Sequence, residues 1–125
     1  MIHLDTNYLV RGLVQGTPEQ AAWDAWAAQA IPILVSAPAW AEFLCGPLSL
    51  HDRAKAAQLL GAPLALDGGA AEVAAELFNA SGRRRGSMVD CMIAAIAIRR
   101  GAELATANTA DFARFAPRGL RLRTT

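Results

Sequence analysis

Four carboxylates sit where a parallel α/β sheet would gather them. Asp5 directly follows a strand-like opening, Ile2-His3-Leu4. Glu42 lies in the helical stretch that follows a second apolar run, Ile33-Leu34-Val35-Ser36. Asp90 falls in the first turn of a long apolar helix, and Asp111 in the first turn of a short helix after a later strand. Open parallel sheets bind ligands outside the carboxyl ends of their strands, so these positions can converge on one edge. Carboxylates that close repel, which raises some pKa values unless a cation neutralises them. An oxygen-only set with no Cys or His among its donors suits a hard ion, Mg²⁺ or Mn²⁺. The chemistry such a cluster serves is in-line attack of water on a phosphodiester. The ion polarises the phosphate, lowers the pKa of the water and stabilises the leaving oxygen.

Each acid also has a plainer reading. Asp5-Thr6-Asn7 can cap the helix that follows. Glu42 can be a solvated side chain, since Trp40, Phe43 and Leu44 look like the core face of its helix. Ser87-x-x-Asp90 and Asn108-x-x-Asp111 both match a capping box. No single acid carries the case; the combination at one sheet edge does.

Other conspicuous residues divide the same way. Arg83-Arg84-Arg85, set between two glycines just before the helix of Asp90, could steer nucleic-acid phosphates, meet an acidic partner segment, or be a solvated loop. Arg11 and Arg53 could join the same surface. His3 lies inside the first strand and reads as structural, and neither it nor His51 has a metal-ligand partner at useful spacing. Trp23 and Trp26 are three apart on one helix and should pack in the core or at a dimer face rather than stack on RNA. Cys45 and Cys91 read as buried free thiols with no His base to make them nucleophiles.

The elements that must position these groups alternate. Strand signals fall at 2–4, 33–36, 63–66, 103–106 and 120–123. Helical signals fall at 7–13, 18–30, 38–45, 49–60, 69–80, 87–100 and 108–115. Thr17-Pro18 opens the second helix as N-cap and N1. Gly61 ends the fourth. Arg99, Arg100 and Gly101 close the helix that Ser87 opens. That helix shows no polar residue from Cys91 to Ile98, so it should lie buried. Strands alternating with helices argue a parallel sheet covered on both faces, an α/β fold of four to five strands.

Composition sets outer bounds. The 125 residues are 54% hydrophobic, enough for one sizeable core and too much for a disordered chain, so a single domain over 1–125 is expected. Twelve Lys+Arg against 11 Asp+Glu give a net charge of +1, so no bulk basic field exists to hold nucleic acid. All but Lys55 of the basic residues are arginines, the better fork for phosphate. Asp5 interrupts any signal-peptide core, and the longest uncharged stretch, Ala25 to Ala41, holds two prolines and is too short for a membrane span. A reducing cytoplasm is the expected compartment.

The motifs now have an order. Met1-Ile2-His3-Leu4-Asp5-Thr6-Asn7, Trp40-Ala41-Glu42-Phe43-Leu44-Cys45-Gly46, Asp90-Cys91-Met92-Ile93-Ala94-Ala95 and Thr106-Ala107-Asn108-Thr109-Ala110-Asp111-Phe112 together resemble the PIN-domain ribonucleases. The size is most similar to VapC toxins of bacterial toxin–antitoxin pairs. The resemblance implies a PIN-like α/β/α sandwich, with Asp5, Glu42 and Asp90 as core metal ligands and Asp111 as a fourth, more distant acid. Thr6, Asn7, Thr106 and Asn108 match positions that orient the acids or hold a metal-bound water. It further implies Mg²⁺ or Mn²⁺ as cofactor, single-stranded or loop RNA as substrate, products with a 3′-hydroxyl, a homodimer, and a VapB-like antitoxin whose C-terminal segment blocks the site. The stretch 46–85 matches in helical character alone.

Three other readings compete. A PIN nuclease outside toxin–antitoxin biology fits nearly as well. A non-catalytic α/β binding module would keep the acids as caps. A phosphotransfer domain fits poorly: Asn7 stands where a phosphatase of the haloacid-dehalogenase type needs a second acid, Lys55 sits in a mid-chain helix, and no Gly-rich phosphate loop occurs.

Overall fold

The acids are spread over the whole chain, and a four-stranded parallel sheet is what collects them. The computed structural model describes residues 1–124. Its elements are β1 (Ile2–Leu4), α1 (Thr6–Gly12), α2 (Pro18–Ala28), β2 (Ile33–Val35), α3 (Ala37–Cys45), α4 (Leu50–Leu60), α5 (Gly68–Ala80), α6 (Met88–Arg100), β3 (Glu103–Ala105), α7 (Thr109–Ala113), a 3₁₀ turn (Ala116–Arg118) and β4 (Arg121–Arg123). The strand order is β2-β1-β3-β4, every pair parallel. The chain leaves β1 toward one side and β3 toward the other, so the order reverses between them. That switch point is where an open α/β sheet has its crevice.

Local chemistry explains the boundaries. Asp5, Thr17, Ser36, Ser49 and Asp67 each accept a backbone N–H bond as helix N-caps, each worth about 1 kcal/mol. Gly101 closes α6 at φ 64°, a left-handed conformation in which any Cβ is strained. The core lies between sheet and helices. Ile2 and Leu4 of β1, Leu104 of β3 and the Cys91, Ile93–Ala97 stretch of α6 are buried. Most of the all-apolar stretch of α6 is thus buried, with Met92 and Ile98 partly so, and it packs against α5, α3 and β3. Trp26 stacks on Tyr8 with ring centroids 5.8 Å apart, and Trp23 lies against Gly12. Both indoles are core residues, not platforms for a base.

Three expectations need correction. Residues 63–66 do not form a strand. Leu64 makes one isolated parallel bridge to Ser36. Pro63 has no N–H to donate, and the segment is confined between Gly61, at φ 68°, and the Asp67 cap, so pairing stops there. The helix foreseen at 108–115 breaks into α7 and the 3₁₀ turn that contains Pro117. Cys45 is exposed rather than buried. The core face of α3 is Ala39 and Phe43, four apart, and Cys45 lies off that stripe.

His3 is structural as expected, and unusually placed. It is fully buried, and neither ring nitrogen has a hydrogen-bond partner among the described residues. Burial lowers its pKa from 6.5 to about 4, helped by the charges of Arg100 and the amino terminus. Among the described residues no helix is long and apolar enough to cross a membrane.

Candidate active site

Asp5 stands at the carboxyl end of β1, its N–H donating to the Ala105 carbonyl at the end of β3. It is 3% exposed and fully engaged. Oδ1 accepts the Tyr8 N–H at 2.7 Å, which caps α1. Oδ2 accepts the Thr106 hydroxyl at 2.5 Å, across the switch point. Thr106 in turn accepts the Asn108 N–H at 2.8 Å. The capping reading of Asp5 is therefore correct and incomplete, because one oxygen caps and the other faces its neighbour strand.

The other acids arrive from helices. Glu42 projects from α3 and accepts the Thr6 hydroxyl at 2.6 Å. Asp90 sits in the first turn of α6, but no capping box forms there. Ser87 instead donates its hydroxyl to the Arg84 carbonyl at 2.7 Å and gives α6 no side-chain cap. Asn108 likewise gives α7 no side-chain cap; its amide donates to Asp111 Oδ2 at 2.8 Å. Asp111 also meets Arg84, whose Nη1 is 3.4 Å from Oδ1.

One cleft of about 130 Å³ gathers most of these groups. Asp5, Thr6, Asn7, Glu42, Asp90 and Asn108 line it, with Ile93 and Phe112 as its apolar wall. Thr106 is outside that lining and reaches it through its hydrogen bond to Asp5. Asp111 stands outside that lining, tied to Asn108 and Arg84. The arginine triplet is not one surface. Arg84 turns toward Asp111, while Arg83, held at φ 52°, donates from Nε to Asn79 Oδ1 at the end of α5. Arg11 is paired with Glu19 on α2 at 2.8 Å.

The electrostatics are those of acids forced together. Burial raises the pKa of Asp5, opposed by the Thr106 and Tyr8 hydrogen bonds, and the charges of Asp90 and Glu42 raise it further. Burial and the charge of Glu42 raise Asp90, opposed by Arg114. A positive ion in the cleft would relieve both. Among the described residues no three His, Cys, Asp or Glu side chains are drawn together tightly enough to clasp an ion as they stand. The oxygen-only donor set and the repulsion at Asp5 and Asp90 fit a hard divalent cation. Cys91, beside Asp90 in sequence, has its thiol pushed up by burial and is no nucleophile.

Sequence reasoning missed Arg114. Its Nη2 is 3.9 Å from Asp90 Oδ2, and its side chain is 18% exposed. Arg114 directly follows α7, three residues after Asp111, a spacing that does not by itself single it out.

Comparison with known proteins agrees with the architecture. A family model described as the PIN domain matches residues 2–117. No curated protein sequence matches the chain. Among solved structures, a VapBC complex of Rickettsia felis bound to a promoter DNA fragment matches with TM-score 0.77 and 22% identity, over 100% of this chain and 99% of that one. A toxin–antitoxin complex of Klebsiella pneumoniae matches with TM-score 0.70 and 26% identity, over 90% and 91%. A sarcin–ricin loop-cleaving VapC toxin of Mycobacterium tuberculosis matches with TM-score 0.67 and 19% identity, over 98% and 99%. With the parallel sheet, the switch-point cleft and a family model covering most of its length, the chain belongs to the PIN domain family.

Proposed function

We propose that the protein is a divalent-cation-dependent endoribonuclease acting as the toxin of a toxin–antitoxin pair. One observation carries the reading. Asp5, Glu42 and Asp90, from three distant parts of the sequence, line a single cleft at the carboxyl ends of β1 and β3, and two of them have raised pKa values there. Asp5 is buried and Asp90 partly so, each near the charge of Glu42; that arrangement is costly, and a site that accepts a cation explains the cost. Asp5, Glu42 and Asp90 would hold Mg²⁺ or Mn²⁺, with Asp111 nearby. The ion when bound supplies Lewis-acid polarisation of the phosphate and a more acidic water.

The chain's own residues do the rest. Thr106 and the Tyr8 N–H fix both oxygens of Asp5, so that carboxylate is preorganised. Thr6 orients Glu42, and Asn108 links Thr106 to Asp111. Asn7 and Asn108 present amides to the cleft, able to hold a water or a phosphate oxygen. Arg84 brings positive charge to the Asp111 rim, where an RNA backbone would enter. Its partners on this reading are RNA, a VapB-like antitoxin and a second copy of the chain. Toxin–antitoxin complexes among the structural matches support the antitoxin, and a loop-cleaving toxin among them supports RNA.

The test is the chemistry of the product ends. Purified protein with total RNA and Mn²⁺ should leave 5′-phosphate and 3′-hydroxyl termini, and EDTA should stop it. Products carrying 2′,3′-cyclic phosphate would mean attack by the ribose hydroxyl, and the metal-activated water would be wrong.

A further inference from the structure

We propose that Arg114 is a phosphate-binding residue of this cleft, held by Asp90 until a cation takes that carboxylate. The inference rests on the cation-dependent nuclease reading above. Arg114 follows α7 and folds inward. Its side chain is 18% exposed, against 56% for Arg11, 61% for Arg84 and 47% for Arg99. The guanidinium lies over the Phe115 ring, 4.6 Å from its centroid. Nη2 stops 3.9 Å from Asp90 Oδ2, beyond hydrogen-bond length. Nε is buried and has no hydrogen-bond partner among the described residues.

That arrangement is a poor way to stabilise a fold. A purely structural arginine would satisfy Nε or swing into water, because a buried unmatched donor is costly. Arg114 instead keeps a planar donor fork at the edge of the acid cleft, fixed by the aromatic shelf beneath it. The anion it faces is Asp90, one of the three acids lining the cleft. Arg114 and a divalent cation therefore compete for one carboxylate. A guanidinium freed from Asp90 keeps its fork beside one of the acids that line the cleft, and bidentate donation to phosphate oxygens is what that group does best. Arg84, exposed and hydrogen-bonded to Asp111, lacks this enclosure.

The two roles have opposite signs, which makes the test sharp. Calorimetry with Mn²⁺ alone compares wild type with Arg114→Met, which keeps an apolar stem on Phe115, and Arg114→Lys, which keeps the charge. Arg114→Met should bind Mn²⁺ about tenfold more tightly, the Coulomb effect of one charge about 6 Å from a divalent ion at water-like screening. At saturating Mn²⁺ the same variant should cleave RNA with kcat/KM lowered about 100-fold, and Arg114→Lys should recover part of it. Unchanged or weaker Mn²⁺ binding by Arg114→Met overturns the role of Arg114 while leaving the nuclease reading intact. No Mn²⁺ binding by wild type removes that reading, and this one with it. If Arg114→Met fails to fold, Arg114→Lys decides: wild-type Mn²⁺ affinity with reduced cleavage supports the proposal, and wild-type cleavage after loss of the planar fork overturns it.

Discussion

Replacing His3 by leucine isolates one buried group whose titration should be visible in stability. The imidazole is fully buried in β1, which pairs His3 with Leu34 and Leu104 on the flanking strands, and neither nitrogen has a partner among the described residues. Folding holds it neutral, with a pKa of about 4 in place of 6.5. In the unfolded chain it takes a proton near pH 6.5; in the folded chain it does not until about pH 4. The unfolded state thus binds more protons across this window, so stability falls as pH drops from 6.5 and levels off below about 4. At about 1.36 kcal/mol per pH unit, the interval converts to about 3 kcal/mol. That is a large share of the roughly 5–15 kcal/mol that holds a domain together. Asp5 and Asp90 pull the other way, since their raised pKa values make the folded state hold protons above the ordinary carboxylate range. Their contribution is present at low pH and lost as pH rises, and it is common to both proteins. The difference between His3→Leu and wild type is therefore the quantity to measure. Urea unfolding at pH 7, 6, 5 and 4 should show the variant gaining about 3 kcal/mol on wild type by pH 4. A constant difference across the series, within about 0.5 kcal/mol, would refute the claim that His3 is a neutral, desolvated imidazole.

Other consequences are more local. Thr106→Val removes the hydroxyl that binds Asp5 and accepts the Asn108 N–H. It should cost about 1–3 kcal/mol, and because that hydroxyl lowers the pKa of Asp5, the acid limb of Mn²⁺ affinity should move to higher pH. Gly12→Ala puts a Cβ 2.6 Å from the Trp23 ring and should cost about 1–3 kcal/mol in urea unfolding. Gly69→Ala meets only the movable tip of Arg99 within α5 and should be stabilising by about 0.5–1 kcal/mol. Mn²⁺ at about 100 times its Kd should add about 2.7 kcal/mol to unfolding, a gain that EDTA reverses.

The architecture was legible wherever punctuation was strong. Thr17-Pro18, Ser49 and Gly101 mark helix ends by side-chain or φ requirements that act locally, and the structure keeps them. The sheet edge was legible because Asp5 and Thr106 follow strands directly, and a parallel sheet leaves few places for them to go. What failed depended on tertiary context. Residues 63–66 carry an apolar run, but a strand needs a partner along its length, and only Leu64 finds one. Ser87-x-x-Asp90 has the spacing of a capping box, yet Ser87 sits at φ −96°, ψ 0° rather than in the extended conformation of an N-cap, and its hydroxyl is turned to the Arg84 carbonyl. Arg114 was invisible because its meaning lies in an aromatic shelf and in an acid 24 positions away, neither of which spacing encodes.

The central claim is that Asp5, Glu42 and Asp90 form a cation site that hydrolyses RNA. Cleavage of RNA in Mn²⁺ by wild type, beside Asp5→Asn/Asp90→Asn purified identically, tests it most directly. Wild type should cleave, EDTA should stop it, and the double variant should fall by at least about 1,000-fold, the scale of losing preorganised charge at a reacting phosphate. Cleavage that survives in the double variant would contradict it.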